Sequence, residues 1–388
     1  MKKEISILGS TGSIGLSAIE IIKKKKNLFN FNLLTANKNY KLICKQIKEF
    51  KPRHFIIYNN KIYKKVLKKF KGSSVKIHNS FEIIKNIRKS EISISAIPGI
   101  IGLYPTILLI KKSKKILIAN KESIICGWNL IQKEIKKYKT NLIPIDSEHF
   151  SVMQLLEKHK LNEIKMIYIT ASGGPFLNLK KNKFRNIKPK DALKHPKWKM
   201  GKKISIDSAT LMNKILELIE AQKLFNIPNK KLNILIHPDS LVHAIVKLKN
   251  GLTKFIYHET SMLIPLANAI FDGNLNIEDF KKSSKKGNIE NLIFKKVDKS
   301  RFPIIKIKDK ANEYPSTSII VNASNEILVD QFLQKKIPFL TIIKIIMIIL
   351  NDRNYRKYAI RKPKNIEEIK QIDLWARELT MKKIKRIK

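Results

Sequence analysis

The feature that most constrains the fold of this chain is a glycine loop between an apolar strand and a helix near the N-terminus. Residues 4–8 have the pattern of a strand, and the loop Gly9-Ser-Thr-Gly12-Ser-Ile-Gly15 leads into apolar residues at helical spacing. Doubly wound folds hold the pyrophosphate of a dinucleotide at such a turn. The spacing is G-x-x-G-x-x-G, not the commoner G-x-G-x-x-G, so a plain structural turn is the alternative.

The alternation of strand and helix continues through the first third of the chain. Helical stripes such as Ile43, Ile47 and Phe50 separate further apolar runs, which cover residues 31–36, 55–58, 92–97, 116–119 and 142–145. Strands that alternate with helices predict a parallel sheet with helices on both faces. We therefore expect an α/β chain with an N-terminal doubly wound domain that binds a dinucleotide.

The end of the second strand indicates which dinucleotide binds. An NAD site usually has Asp or Glu there, which accepts a hydrogen bond from the ribose 2′-hydroxyl. This chain has Ala36-Asn37-Lys38-Asn39, with one cation and no acid. The pattern favours the 2′-phosphate of NADPH.

Two acids lie where the sheet should end, in the run Pro144-Ile-Asp146-Ser-Glu148-His149. In an extended segment residues i and i+2 point the same way, so Asp146 and Glu148 would converge. Carboxylates without cysteine suit a hard cation such as Mg²⁺ or Mn²⁺, and Glu217 would supply a third ligand. Exposed acids at a strand end are the alternative.

Glu217 belongs to a stretch, residues 195–220, that changes from a loop to a helix. Asn213 and Glu217 stand one turn apart on the predicted helix, and Lys214 is beside them. Candidate N-cap side chains precede the helix at Asp207, Ser208 and Thr210. Backbone N–H groups at such an entrance favour anions, although a solvated, well-capped helix is the other interpretation.

Two further loops look functional. Thr170-Ala-Ser172-Gly-Gly-Pro-Phe follows a strand-like run at residues 164–169 and can cradle a phosphate, or it is a tight turn. The loop from His195 carries Trp198 and Met200 between lysines. Large apolar side chains in such a loop predict a mobile lid over bound substrate.

Composition argues against three other classes of protein: nucleic-acid-binding, disulfide-rich and membrane proteins. There are 79 Lys and Arg against 31 Asp and Glu, a formal net charge of +48, but the lysines are scattered, which favours a solvated surface over a specific nucleic-acid site. Two cysteines, Cys44 and Cys126, cannot build a disulfide framework, so we expect a reducing, cytoplasmic setting. The run at residues 337–350 contains Lys344 and is too short to span a bilayer, so we expect no membrane association.

Seven motifs in order resemble the 1-deoxy-D-xylulose 5-phosphate reductoisomerase family, and the resemblance covers essentially the whole chain. They are Gly9-Ser-Thr-Gly-Ser-Ile-Gly15, Asn120-Lys-Glu-Ser123, Asp146-Ser-Glu-His149, Ala171-Ser-Gly-Gly-Pro-Phe176, His195-Pro-x-Trp-x-Met-Gly201, Ile206-Asp-Ser-Ala-Thr-x-Met-Asn-Lys214 with Glu217, and His237-Pro-x-Ser240.

The resemblance implies NADPH- and metal-dependent conversion of 1-deoxy-D-xylulose 5-phosphate to 2-C-methyl-D-erythritol 4-phosphate by a homodimer. Asp146, Glu148 and Glu217 would bind Mg²⁺, Mn²⁺ or Co²⁺. The substrate phosphate would meet Ser172, Ser208, Asn213 and Lys214, and the rest of the substrate Lys121, Ser147 and His195. NADPH would meet Thr11, Gly12, Ser13, Ile14, Asn37, Lys38, Asn39, Asn120, Glu122 and Gly201, and Trp198 and Met200 would form the flap. His149 and His243 are interpreted as structural.

Four parts are predicted, the last two from a Lys-, Ser- and Asn-rich stretch of weak periodicity that is followed by helical spacing. Residues 1–146 would bind NADPH, 147–273 would form the catalytic and dimerisation domain with a flap at about 195–202, 274–301 would be a linker, and 302–388 a helical domain. The chain departs from the family pattern at residues 258–262, His-Glu-Thr-Ser-Met, where Pro-Asp-Met is usual, and at Asn37, where glycine is usual.

Overall fold

A computed structural model describes residues 2–198, 200–280 and 292–386. The chain divides into two compact units. Unit 1 comprises Met1–Ser123, Trp128–Phe150 and Ser261–Lys285, and unit 2 comprises Ile124–Gly127, Ser151–Thr260 and Lys286–Lys388. Both units combine helices with a sheet, so the expectation of an α/β chain is confirmed.

The strands are β1 Lys3–Leu8, β2 Phe29–Ala36, β3 His54–Ile57, β4 Lys76–His78, β5 Ser90–Ser95, β6 Ser113–Ile118, β7 Asn141–Pro144, β8 Ile164–Ala171, β9 Leu232–Ile236, β10 Val242–Leu248, β11 Thr253–Tyr257 and β12 Lys295–Lys296. Every apolar run that predicted a strand lies in one of them, with bounds shifted by a few residues. The short β4 was not predicted because only one apolar residue, Ile77, lies in it.

The α-helices are α1 Ser13–Lys24, α2 Tyr40–Phe50, α3 Asn60–Lys69, α4 Leu103–Ile110, α5 Lys121–Tyr138, α6 Ser147–Leu156, α7 Pro189–Ala192, α8 Lys202–Thr210, α9 Met212–Phe225, α10 Leu263–Phe271, α11 Thr317–Leu333, α12 Phe339–Leu350, α13 Tyr355–Ala359 and α14 Ile366–Lys385. Short 3₁₀ helices occur at Lys26–Leu28, Phe81–Asn86, Ile100–Gly102, Lys181–Asn186, Asn229–Lys231, Ile277–Asp279 and Pro303–Ile307.

The sheet of unit 1 has the order β4-β3-β2-β1-β5-β6-β7, and all its strand pairs are parallel. Buried aliphatic side chains such as Ile5, Ile7 and Leu33 fill its central strands. The chain runs outward from β1 in both directions, so β1 and β5 flank the switch point at which doubly wound folds bind ligands. The glycine loop follows β1 at this point.

The sheet of unit 2 has the order β11-β10-β8-β9-β12. Only the β8–β9 pair is parallel, and the other three pairs are antiparallel. The central strand β8 leads into the loop that contains Ser172. The sheet therefore positions one of the loops that sequence analysis singled out.

The C-terminal part of unit 2 is helical, as expected. Helix α12 buries seven of its side chains and leaves Lys344 exposed, so most of the apolar run at residues 337–350 packs in the interior. Among the described residues no helix has the length and apolar character needed to cross a membrane.

The predicted linker at residues 274–301 falls partly outside the described residues, at 281–291. The described remainder contains the 3₁₀ helix Ile277–Asp279 and strand β12, which pairs with β9 at Lys295–Ile236 and Lys296–Leu235. Part of the segment therefore has regular structure.

Candidate active site

The glycine loop of unit 1 is built from close backbone approaches. Gly9 has φ +82°, and a Cβ there would lie 2.7 Å from the carbonyl oxygen of Ala96. A Cβ at Gly15 would lie 2.3 Å from the oxygen of Gly9. Helix α1 begins after Gly12, and no described side chain caps it. Its first N–H groups suit a phosphate, and Thr11, Gly12, Ser13 and Ile14 lie on this turn.

A buried hydrogen-bond pair that the sequence analysis missed supports this loop. Ser10 Oγ donates to Gln46 Oε1 at 2.6 Å, and Gln46 Nε2 donates to the Ser10 carbonyl at 2.9 Å. The sequence signal was a glutamine beside the apolar stripe of α2, next to Ile47. Gln46 thus fixes the loop backbone from the neighbouring helix.

The loop after β2 is exposed at Asn37, Lys38 and Asn39. Asn39 Oδ1 accepts a hydrogen bond from the N–H of Leu42 at 3.2 Å and caps α2. Lys38 is the one charged side chain among these three residues.

Asn120 has a structural task at the start of α5. Its Oδ1 accepts from the N–H of Ser123 at 2.5 Å, and its Nδ2 donates to the carbonyls of Gly99, at 2.9 Å, and Ile97. These bonds fix the first turn of α5, which carries Lys121 and the buried Glu122.

Asp146 and Glu148 do not lie on an extended segment, so the predicted backbone was wrong, but carboxylate oxygens of the two residues lie within 4.8 Å of each other, as expected. Asp146 precedes α6, its carbonyl accepts from the N–H of Phe150 at 2.8 Å, and its Oδ1 accepts from the N–H of Glu148 at 3.3 Å. The buried Val152 and Leu155 are three residues apart and share one face of α6, so their burial favours the helix.

Helical geometry still places polar groups around the two carboxylates. Lys121 Nζ lies 3.4 Å from Asp146 Oδ2, and Ser147 Oγ donates to Glu148 Oε2. The buried His149 has Nδ1 3.4 Å from Asp146 Oδ1. Unit 1 therefore gathers two carboxylates, an ammonium and a hydroxyl.

In unit 2 the start of α9 holds buried charges. Lys214 Nζ donates to Glu217 Oε2 at 2.6 Å, and Asn213 Nδ2 donates to Glu217 Oε1. Glu217 is 1 % exposed and Lys214 is 7 % exposed. Buried charges are costly unless they are paired, so each depends on its partner.

The predicted N-cap for this helix was wrong. Asp207, Ser208 and Thr210 lie inside α8, and Leu211, with φ +67°, separates α8 from α9. The buried Asp207 accepts from Lys203 Nζ at 2.9 Å and Asn325 Nδ2 at 2.7 Å. Its carboxylate therefore joins α8 to α11 instead of capping α9.

The Ser172 loop packs against α8. A Cβ at Gly174 would lie 2.9 Å from the carbonyl oxygen of Ser208, so glycine allows this approach. Ser172 Oγ accepts from the N–H of Gly174 and lies 3.0 Å from His195 Nε2. The hydroxyl, imidazole and helix are thus brought together.

His195 is neutral near physiological pH. Burial, reinforced by the Lys214 ammonium, lowers its pKa to about 4. Its Nδ1 accepts from the N–H of Trp198 at 2.9 Å, so the proton lies on Nε2, which can donate to Ser172 Oγ.

The predicted flap runs from His195 to Gly201, the residue that caps α8. Trp198 and Met200 are half-buried, and Lys199 lies outside the described residues. The Trp198 ring meets His243 edge-on at 6.1 Å, and His243 stacks on His258 at 3.8 Å. The mobility of this predicted flap stays a prediction.

Comparison with known proteins identifies the family. Family models match for 1-deoxy-D-xylulose 5-phosphate reductoisomerase at residues 5–127, for its C-terminal domain at residues 142–225, and for a further DXP reductoisomerase C-terminal domain at residues 259–379. The reductoisomerase of Pelagibacter ubique is 49% identical over 379 residues, 96% of this chain and 97% of that protein. That of the Wolbachia of Brugia malayi is 36% identical, covering 99% and 98%.

Solved structures agree. The reductoisomerase from Zymomonas mobilis in complex with NADPH has a TM-score of 0.89 at 31% identity, with 99% of each chain covered. A reductoisomerase in complex with NADPH, fosmidomycin and magnesium has a TM-score of 0.90 at 31% identity and the same coverage. The chain therefore belongs to the 1-deoxy-D-xylulose 5-phosphate reductoisomerase family.

Proposed function

We propose that this chain isomerises and reduces 1-deoxy-D-xylulose 5-phosphate to 2-C-methyl-D-erythritol 4-phosphate, with NADPH and a divalent cation, in non-mevalonate isoprenoid precursor synthesis. The observation that carries the proposal is the buried Lys214–Glu217 pair beside Asn213, within a motif of the family. A solvated surface helix, the alternative interpretation of this stretch, would not bury two charged side chains.

The cation is assigned to Asp146, Glu148 and Glu217. Their donor atoms are all carboxylate oxygens, which fit Mg²⁺ or Mn²⁺, with Co²⁺ as a further candidate. When bound, the cation supplies Lewis acidity where negative charge develops on the substrate oxygens. Lys121, with Nζ 3.4 Å from Asp146 Oδ2, adds a further positive charge beside that carboxylate.

The substrate phosphate is assigned to Ser172, Ser208, Asn213 and Lys214. Hydroxyl, amide and ammonium groups all donate hydrogen bonds to phosphate oxygens. The neutral His195 and the hydroxyl of Ser147 are assigned to the rest of the substrate. Binding of the remote phosphate supplies energy that orients the reacting carbons.

NADPH is assigned to the glycine loop and the loop after β2. The residues are Thr11, Gly12, Ser13, Ile14, Asn37, Lys38 and Asn39, together with Asn120, Glu122 and Gly201. When bound, NADPH supplies the hydride that reduces the aldehyde formed by isomerisation. Trp198 and Met200 would exclude water from this reactive aldehyde.

A homodimer is proposed from the sheet edge of unit 2. The edge strand β11 has Phe255 46% exposed, and Leu252 just before it is 57% exposed. An exposed edge with large apolar side chains favours pairing with another chain. Light scattering should give twice the mass of one chain, and a monomer would contradict the proposal.

The setting and the domain division are proposals as well. We place the enzyme in the cytoplasm without a specific nucleic-acid partner, on the cysteine usage and the scattered lysines. The four-part division with bounds at residues 146, 273 and 301 is retained from the sequence.

The direct test follows loss of NADPH absorbance with 1-deoxy-D-xylulose 5-phosphate and Mg²⁺. Oxidation should require both substrate and cation, and EDTA should abolish it while NADPH binding, measured by fluorescence, persists. Oxidation that ignores EDTA would indicate a simple dehydrogenase. No oxidation by a folded protein would contradict the proposed activity.

A further inference from the structure

Lys223 on α9 is a buried cation that the proposed chemistry does not use. Its Nζ donates to the carbonyl of Ile125 on α5 and to Ser318 Oγ on α11, the latter at 3.0 Å. Ser318 Oγ donates in turn to the same carbonyl at 2.8 Å. One backbone oxygen thus accepts from side chains 98 and 193 residues away along the chain.

This oxygen lies at a kink in α5. Gly127, with φ −122° and ψ 18°, has non-helical geometry inside the helix. Helices kink where glycine occurs or where a side chain inserts into the i→i−4 ladder, and here both occur together. Lys223 and Ser318 therefore bind α5 at the turn where it bends.

The charge of Lys223 lowers the stability of the fold. Burial lowers the pKa of Lys223 to about 8, and Cys126 opposes the shift. Because the unfolded chain binds this proton more tightly, the charge disfavours folding at neutral pH, and stability increases as pH rises from about 8 toward the unfolded value. Methionine has similar volume without this cost. Stability alone does not explain the lysine.

The first turn of α5 carries Asn120, Lys121 and Glu122, and in an α-helix the N–H of residue 125 bonds the carbonyl of residue 121. We propose that Lys223 is a positioning residue, which fixes the Ile125 carbonyl and thereby sets the direction of the first turn of α5. This inference rests on the proposed function, in which that turn meets NADPH and the substrate.

The test is Lys223→Met in the full-length protein. We expect the melting temperature to rise by about 2 °C or more because a buried charge is removed. We expect kcat/KM to fall by about tenfold or more because the first turn of α5 loses its fixed direction. Fluorescence titration should show weaker NADPH binding. Lys344→Met, at an exposed helical lysine of α12, is the matched control and should change none of these three quantities.

Two further variants complete the test. Ser318→Ala retains Lys223, so it should raise KM for NADPH by a smaller factor than Lys223→Met does. Lys223→Arg retains a hydrogen-bond donor and should recover part of the kcat/KM that Lys223→Met loses. Unchanged NADPH binding and kinetics in Lys223→Met and Ser318→Ala would overturn the inference. A fall in melting temperature with parallel loss of activity would also overturn it, as a merely structural role. An inactive wild type would instead contradict the proposed function.

Discussion

The glycine loop of unit 1 and the start of α9 in unit 2 are both assigned to phosphate groups, yet they are built differently. The loop at residues 9–15 contains no charged side chain, and its donors are backbone N–H groups at the start of α1. The start of α9 relies on the side chains of Asn213, Lys214 and Glu217, two of which are buried charges in contact.

Because of this difference, the two sites should tolerate different substitutions. A site made of backbone N–H groups requires only that the chain can adopt the turn, so its vulnerable positions are the glycines. A site made of buried charges requires each partner, since removing one leaves the other uncompensated. Substitutions should therefore act mainly through local strain in unit 1 and through electrostatics in unit 2.

The largest expected effect is that of Glu217→Gln. Turnover should fall by about a thousandfold or more because a charged metal ligand is lost, and high Mg²⁺ should restore part of it. The variant should also lose stability, because the buried Lys214 ammonium would face a neutral amide in place of a carboxylate. Steady-state kinetics and chemical denaturation measure the two effects. Glu157→Gln, at an exposed acid, is the control, and full activity of Glu217→Gln with EDTA present would refute the metal assignment.

Lys214→Ala should lower kcat/KM for the phosphorylated substrate by roughly ten- to a hundredfold, or about 1.5–3 kcal/mol, because a charge-assisted contact to phosphate is lost. NADPH affinity, read by fluorescence, should stay near the wild-type value. Equal weakening of both ligands would show that the charge cluster of α9 supports the whole protein and not the phosphate alone.

Gly9→Ala and Gly72→Ala form a matched pair in unit 1, because both glycines have φ +82°. At Gly72 no described atom lies within 4 Å of the added Cβ, so only backbone strain of about 1–2 kcal/mol applies. At Gly9 the carbonyl of Ala96 adds a clash, which should cost about 1–3 kcal/mol more and weaken NADPH binding. Equal melting temperatures and equal NADPH affinities would contradict the strain account.

The smallest expected effect is that of Lys38→Glu. The NADPH over NADH preference in kcat/KM should fall by about three- to tenfold, because an exposed charge contributes about 1 kcal/mol or less and its reversal adds repulsion. Lys41→Glu on α2 is the control. An unchanged preference would mean that backbone N–H groups recognise the 2′-phosphate, as we propose for the pyrophosphate.

Local sequence alone determined the doubly wound sheet. Apart from the short edge strand β4, each strand of unit 1 contains an apolar run, and helices connect the strands, so periodicity within short windows predicted them. The glycine loop and the lack of an acid after β2 could likewise be recognised in the sequence, because a tight turn and a missing carboxylate depend on only a few adjacent residues. The carboxylates and the Asn213–Lys214–Glu217 group were singled out by residue type and spacing, and the family motifs then implied their roles.

Tertiary structure decided the rest, because the deciding partners are far apart in the chain. Asp207 is held by Asn325, 118 residues away, and the helix that contains it ends at Thr210, so the N-cap expectation could not hold. Gln46 reaches the glycine loop from α2, and Lys223 reaches Ile125 from α9. A buried polar group forms its hydrogen bond with whichever residue the packing of the fold places beside it. The spacing of residues in the sequence does not predict that partner.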